Sequence, residues 1–315
     1  MLTKNKRSEF VHGNKRKAAD WKKWLFYGCL IVLPLAQFLL MYVYVNFNSF
    51  VMAFSNYDDN TQRWVWAGFT HFKDLFYDIG RLPALKYGFK NSFSVWLIDI
   101  FVTVPLGIIF AYYIYKKFPA SKLFRIMLFL PSILSANLLM IIFKYYADAF
   151  LPKVINQIFG TKLFGLLSVP KTTFPTLLIF NVFLGFGVSV LMYTGAMSNI
   201  SESVTEAAEL DGVNTLQELI FIVLPQMVGT ISVFIITGIA GMFTNQLNLW
   251  SIYHVTADFS IQTIGYYLYC NIFKAGSSFS LYPYNAALGV LITLIIVPVI
   301  LGARKLIKKI DPMED

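Results

Sequence analysis

The chain has 315 residues, of which 57% are hydrophobic, 17% aromatic and only 14% charged, a balance that excludes an ordinary soluble domain. Its formal net charge of +9 could suggest a nucleic-acid partner, but the cations lie at the borders of apolar stretches and no nucleic-acid-binding motif is present. Anionic lipid headgroups are the partner that such borders suit.

Taken in order, residues 1–23 read as a basic cytoplasmic tail that includes Lys15, Arg16, Lys17, Lys22 and Lys23. The tail imitates a signal peptide, but the apolar run behind it is too long and lacks a small-x-small cleavage site. Crossing a hydrocarbon core of about 30 Å takes roughly 20 helical residues. Six stretches answer to that need: Trp24–Tyr44, Phe93–Tyr115, Ile126–Phe143, Thr173–Met197, Met227–Trp250 and Asn285–Lys305, the third being the shortest. Between the first two, Ser55–Lys90 is too short for a domain with a core of its own. There Phe72, Leu75, Phe76 and Tyr77 fit one helical face, as in a helix lying in the headgroup region. Lys144–Thr172 and Asn245–Tyr284 read as further outward connections. Strands with dyad alternation are absent, which speaks against a membrane barrel. Residues 24–309 thus read as one membrane domain, and residues 310–315 as a short cytoplasmic tail.

Cations set the orientation. Eight Lys or Arg precede Trp24, while Lys116, Lys117, Lys122 and Arg125 join the second and third spans and Arg304, Lys305, Lys308 and Lys309 close the chain. That makes sixteen on one side against ten spread over the longer segments opposite. The fold expected is all-α and polytopic, with six transmembrane helices and both termini cytoplasmic. Cys29 and Cys270 should lie at opposite membrane faces, so no internal disulfide is expected.

One polar island, residues 198–226, separates the fourth and fifth spans on the cytoplasmic side. Ser203 stands three residues ahead of Glu206, and Thr215 three ahead of Glu218, both of which are capping-box spacings. Between them, Asp211-Gly212-Val213-Asn214 is rich in turn formers, and Gly212 tolerates the positive φ that ends a helix. Val204, Ala207, Ala208 and Asp211 share a narrow face of the first helix. Leu216, Leu219, Ile220 and Val223 give the second an apolar stripe before Pro225 breaks it. The island therefore reads as helix–turn–helix. It holds no Lys or Arg and five acids, Glu202, Glu206, Glu209, Asp211 and Glu218, the wrong sign for resting on an anionic leaflet.

The run Glu206-Ala207-Ala208-x3-Gly212-x9-Ile222-x-Leu224-Pro225 resembles the EAA loop of the permease subunits of ATP-binding-cassette importers. Further residues resemble the carbohydrate-type permeases, in the oligosaccharide group that includes the first permease of the maltose importer. They are Ala67 to Phe76, where Phe69 and His71 replace the usual Leu and Asn, then Asn91-Ser92, and Ala286-Ala287-Leu288-Gly289. The large extracytoplasmic insertion and the two extra N-terminal helices of the maltose system's larger permease have no counterpart.

The resemblance implies that Glu206, Ala207, Ala208, Asp211, Gly212, Leu224 and Pro225 form a coupling helix–turn–helix docked on a cytoplasmic ATPase. It implies as partners a second related permease, two copies of that ATPase and an extracytoplasmic solute-binding protein, in a bacterial-type inner membrane. The chain itself would be no enzyme and hold no cofactor, ATP and Mg being bound by the ATPase.

The residues agree that the engine lies elsewhere. His12, His71 and His254 are widely separated, and no His-Glu-x-x-His, metal-spaced Cys pair or Gly-rich phosphate loop occurs. A sugar path needs aromatic faces for C–H-rich rings, and amides or carboxylates for hydroxyls. Asn245, Gln246, Asn248 and Trp250 supply that mixture near the outer end of the fifth span, and Asn181 and Tyr193 add to it in the fourth. Amides near a helix end can equally satisfy backbone or water. Asp99 is the notable ionisable residue within a span, where such groups face a cavity or a partner unless they reach the interface. An ion-coupled secondary transporter would want an inverted repeat and buried mid-membrane carboxylates, for which only Asp99 qualifies. An importer of a non-sugar solute also remains open, because the loop reports the engine and not the cargo.

Overall fold

A computed structural model describes residue 21 and residues 23–58, 60–275 and 279–309. The tail 310–315 and nearly all of the basic tail, with Lys15, Arg16, Lys17 and Lys22, lie outside the described residues. The elements in chain order begin with α1 (Lys23–Ala53), a hairpin of β1 (Ser55–Asp58) and β2 (Arg63–Trp66), α2 (Thr70–Arg81) and α3 (Pro83–Tyr115). Next come α4 (Ser121–Ile133), α5 (Ala136–Phe159), α6 (Pro170–Met197), α7 (Glu202–Leu210), α8 (Thr215–Gln226) and α9 (Val228–Gly241). The short α10 (Leu249–Tyr253) and α11 (Ile264–Ala275) lead to the final α12 (Leu281–Lys308).

Four helices, α1, α3, α6 and α12, are each long and apolar enough to cross a membrane. The other two expected spans are bent pairs: α4 meets α5 at 105°, and α8 meets α9 at 72°. The stretch Ile126–Phe143 is therefore not one straight helix. Pro131 lacks the N–H that would continue α4, Leu134 turns extended (φ −87°, ψ 151°), and Ser135 restarts the helix by accepting from the Leu138 amide at 3.2 Å. Helix α5 then runs on to Phe159, through much of what the sequence suggested was a connection. The fifth stretch is also shorter than its apolar run, since α9 ends at Gly241 and Asn245 lies in the loop beyond it.

Proline leaves a second mark. Three of the four widened π segments among the described residues, Asp99–Thr103, Tyr146–Phe150 and Leu219–Val223, end two residues before a proline (Pro105, Pro152 and Pro225), while the fourth, Phe38–Tyr44, is followed by none nearby. A proline ring clashes with the carbonyl four residues back, and shifting the preceding amide to an i→i−5 bond relieves the crowding. The Val104, Leu151 and Leu224 amides make that bond, to the carbonyls of Asp99, Tyr146 and Leu219. In α3 the bulge begins at Asp99, which accepts from Asn181 of α6.

The chain is not purely helical. Ser55 pairs with Trp66 and Asp58 with Arg63 in the antiparallel hairpin, which Phe54–Trp66 stacking at 5.7 Å and a Tyr57–Trp64 contact at 5.1 Å support. Helix α2 forms where the aromatic face suggested it, but that face is divided: Phe72 and Leu75 are buried in the protein, while Phe76 and Tyr77 are exposed. Asn91 and Ser92 pin the loop between α10 and α11. The Asn91 amide donates to the Ser260 and Gln262 carbonyls at 2.8 Å each, and Ser92 Oγ accepts from the Ile264 amide at 3.0 Å.

Helices α3 and α6 pack side by side, with α4 against α6. A Cβ on Gly187 would run into the Leu128 carbonyl oxygen of α4, so glycine alone permits that approach. Toward the α7–α8 end, Ile108, Ala111 and Tyr112 of α3 join Val190, Tyr193 and Met197 of α6 and Val223 of α8 in one apolar cluster. By contrast, none of the most apolar eighteen-residue window of α1 is buried within the chain.

Candidate functional site

The α7–α8 elbow is built by local rules. At the end of α7 the Gly212 amide donates to the Glu209 carbonyl and the Val213 amide to the Ala208 carbonyl, both at 3.1 Å, with Gly212 at φ +73°. This is a Schellman stop, whose left-handed residue favours glycine. Helix α8 starts with a reciprocal capping box: Asn214 Oδ1 accepts from the Gln217 amide at 2.9 Å, and Gln217 Oε1 accepts from the Asn214 amide at 3.0 Å. The box lies one residue before the Thr215–Glu218 spacing, and Ser203–Glu206 does not form one, because α7 starts after Ser201 without a side-chain cap.

The displaced box has a consequence. With Gln217 closing the cap, Glu218 turns inward and is buried, which is the placement the sequence missed. Its carboxylate lies 3.0 Å from Lys116 Nζ and accepts at 3.0 Å from the hydroxyl of Tyr112, the pair standing at the end of α3. Lys116 also reaches Glu209 of α7 at 3.2 Å. Burial works to lower the Lys116 pKa, but the hydrogen bonds and charges of Glu218 and Glu209 outweigh it and hold the ammonium above its ordinary value. The lysine thus ties both arms of the elbow to a long helix.

Of the remaining elbow residues, Ala208 is buried, Leu224 and Pro225 are partly buried, and Glu206, Ala207, Asp211 and Gly212 are exposed. Glu206 has no partner among the described residues. Leu210, 89% exposed, and Leu216, 67% exposed, flank the turn with apolar surface. Pro225 does not end its helix, which runs to Gln226 before the chain bends at Met227.

The second constellation is a cavity of about 490 Å³ between α3, α6, α9 and the loop after α9. It brings together Asp99, Asn181, Tyr193 and Asn245, four of the seven residues suggested for a solute path. A relay links them: Asn245 Nδ2 donates to Asn181 Oδ1 at 3.1 Å, and Asn181 Nδ2 donates to Asp99 Oδ1 at 2.9 Å, which also accepts from Thr103 at 3.2 Å. Tyr193 stacks obliquely on Phe234 at 4.7 Å, yet its buried hydroxyl has no hydrogen-bond partner among the described residues. A smaller neighbouring cavity of about 160 Å³ shares Asp99 and Asn245 and is lined by Trp96, whose buried indole N–H is likewise unpaired.

The other three stand apart from this cavity. Asn248 adopts a left-handed conformation at the start of α10, Gln246 lends its carbonyl to the Leu249 amide at 3.0 Å, and Trp250 packs on Tyr269 and Phe273. They build the loop and leave the cavity to Asn245. Thr103, Ser189, Phe234 and Thr237 line it as well and escaped notice, since a hydroxyl or a phenyl ring inside an apolar span carries no signal of its own.

These features can be set beside known proteins. Protein LplB of Bacillus subtilis (strain 168) is 23% identical over 296 residues, covering 92% of this chain and 90% of that one. The arabinooligosaccharides transport system permease protein AraP of the same organism is 23% identical, with 92% of each covered. The maltose/maltodextrin transport system permease protein MalF of Escherichia coli (strain K12) is 26% identical over 192 residues, only 36% of its length. A chain of a bacterial alginate ABC transporter, solved in complex with alginate pentasaccharide-bound periplasmic protein, superposes with a TM-score of 0.74 at 19% identity. It covers 92% of this chain and 96% of that chain, a likeness of fold. The model of the family described as binding-protein-dependent transport system inner membrane component matches residues 103–312, which hold the elbow and, Asp99 apart, the lining of the larger cavity, and the chain belongs to that family.

Proposed function

We propose that the chain is the transmembrane permease subunit of an ATP-driven importer of oligosaccharides. The observation that carries the cargo is the cavity between α3, α6 and α9, where Asp99, Asn181 and Asn245 offer acceptors and donors beside the ring of Phe234. Such a mixture suits a ligand with many hydroxyls and apolar ring faces. Relatives named for arabinooligosaccharides and maltodextrin support the same reading.

In this reading each bent helix pair crosses once, giving six spans with both termini cytoplasmic, as the cation bias requires. The exposed part of the elbow, Glu206, Ala207 and Leu210, meets a cytoplasmic ATPase that binds ATP and Mg. Two copies of that ATPase, a second related permease and an extracytoplasmic solute-binding protein complete the machine. ATPase closure moves the elbow, and Lys116 passes the motion to α3, turning the cavity from one side of the membrane to the other.

The test uses the purified complex in vesicles with glycan-loaded binding protein. Hydrolysis should rise with an oligosaccharide and fall back when Asn181 is replaced by Leu, and a crosslinker at Ala207→Cys should capture the ATPase. Hydrolysis that ignores every glycan but answers an amino acid or phosphate refutes the cargo. Solute movement driven by a cation gradient without ATP refutes the engine.

A further inference from the structure

We propose that Asp99 makes this permease select against acidic glycans, so that its cargo is an uncharged or amino-bearing oligosaccharide. The inference rests on the carbohydrate reading above and adds the charge class of the cargo.

Asp99 lines both cavities, standing where they share Gly238 and Asn245. Among the described residues no lysine, arginine or histidine lines either one, so Asp99 is the only described lining side chain able to carry a full charge near neutrality. Its two protein donors, Asn181 and Thr103, both address Oδ1. Oδ2 accepts from no described residue and is left for the cavity's contents, as a sugar hydroxyl or an ammonium group would require. The Tyr193 hydroxyl and Trp96 indole N–H, buried and unpaired among the described residues, become donors for a hydroxyl oxygen once the cavity wall shifts to uncover them.

Those neutral donors could also greet a uronate carboxylate, so magnitudes decide. Two carboxylates about 8 Å apart at an effective dielectric of about 20 repel by a factor of roughly thirty in binding. A uronate entering the cavity also finds no cationic side chain to pair with among the described lining residues. Repulsion wins. The fold does not settle the matter, because a chain of the same architecture, with a TM-score of 0.72, belongs to an ABC transporter involved in the import of the acidic polysaccharide alginate. Charge selection must then reside in side chains, and here the side chain is acidic.

The experiment compares neutral and uronate oligosaccharides of matched length on the vesicle-reconstituted complex, reading the ratio of their stimulated ATP hydrolysis and uptake. Wild type should favour the neutral glycan by tenfold or more. Asp99→Asn should collapse that ratio several-fold toward one, and so should Thr237→Lys, which sets a cation on the α9 wall and keeps the test valid if Asp99→Asn fails to assemble. Equal or better handling of uronates by wild type overturns the proposal. So does an unchanged ratio in both variants, which would assign the discrimination to the binding protein. Silence toward glycans of either charge instead defeats the carbohydrate reading, and this inference with it.

Discussion

Lys116, just beyond the end of α3, holds the carboxylate of Glu218 at 3.0 Å, and among the five acids of the elbow only Glu218 is buried. Replacing Lys116 by Met leaves that carboxylate desolvated with only the Tyr112 hydroxyl for support. Breaking one side of a buried pair costs about 3–5 kcal/mol, and the partial exposure of Lys116 puts this case at the low end. The expected result is a lower Tm of the purified complex. Stability should return in a Lys116→Met, Glu218→Gln double variant, while glycan-stimulated hydrolysis stays impaired because the tie to α3 is still missing.

Gly212 offers a test free of side-chain clashes, because a Cβ there meets nothing within 4 Å. At φ +73° the substitution acts through the backbone alone, at about 1–2 kcal/mol for an ordinary L residue. Gly212→Asn should therefore keep most of the uptake, Gly212→Ala less, and Gly212→Pro none, since proline cannot take positive φ and loses the amide that bonds Glu209. Immunoblots of the membrane fraction should show normal insertion of all three.

Much of this was legible in the residues. Gly212 and its turn formers mark the elbow, and Asp99, Asn181, Tyr193 and Asn245 each stand out as polar groups in or beside apolar spans, though the sequence does not show them as neighbours. What stayed hidden depended on contacts distant in sequence. Nothing near Glu218 reveals that its partner is Lys116, 102 residues earlier. The choice of Asn214 over Thr215 as cap was equally hidden, because it is settled by which frame allows Glu218 to be buried. The hairpin escaped because two four-residue strands leave almost no periodicity. The 105° bend at Leu134 needed the conjunction of Pro131 and Ser135, each of which alone is compatible with a kinked span.

Asn245 and Asn248 are near neighbours with different jobs. Asn248→Gly should leave transport close to normal, because the position asks only for a left-handed residue at φ +51°. Asn245→Leu removes the donor to Asn181 and the Oδ1 acceptor of the Leu247 amide at 2.8 Å. Uptake should fall at least tenfold, with membrane abundance measured in parallel to separate transport from assembly.

Tyr193→Phe gives a prediction with two opposite signs. The hydroxyl is buried without a partner, and leaving such a group unsatisfied costs about 1–3 kcal/mol. The phenylalanine variant should therefore match or exceed the wild-type Tm in the absence of glycan, an uncommon outcome for a change at a fully buried side chain. With glycan-loaded binding protein present, the same variant lacks a donor for the cargo. A net hydrogen bond of about 0.5–1.5 kcal/mol corresponds to a two- to tenfold rise in half-saturating concentration. Thermal stability and glycan-stimulated hydrolysis on one preparation read both quantities. A loss of stability without glycan would mean that the hydroxyl already has a partner in the resting protein, and the cavity would lose one of the groups assigned to its cargo.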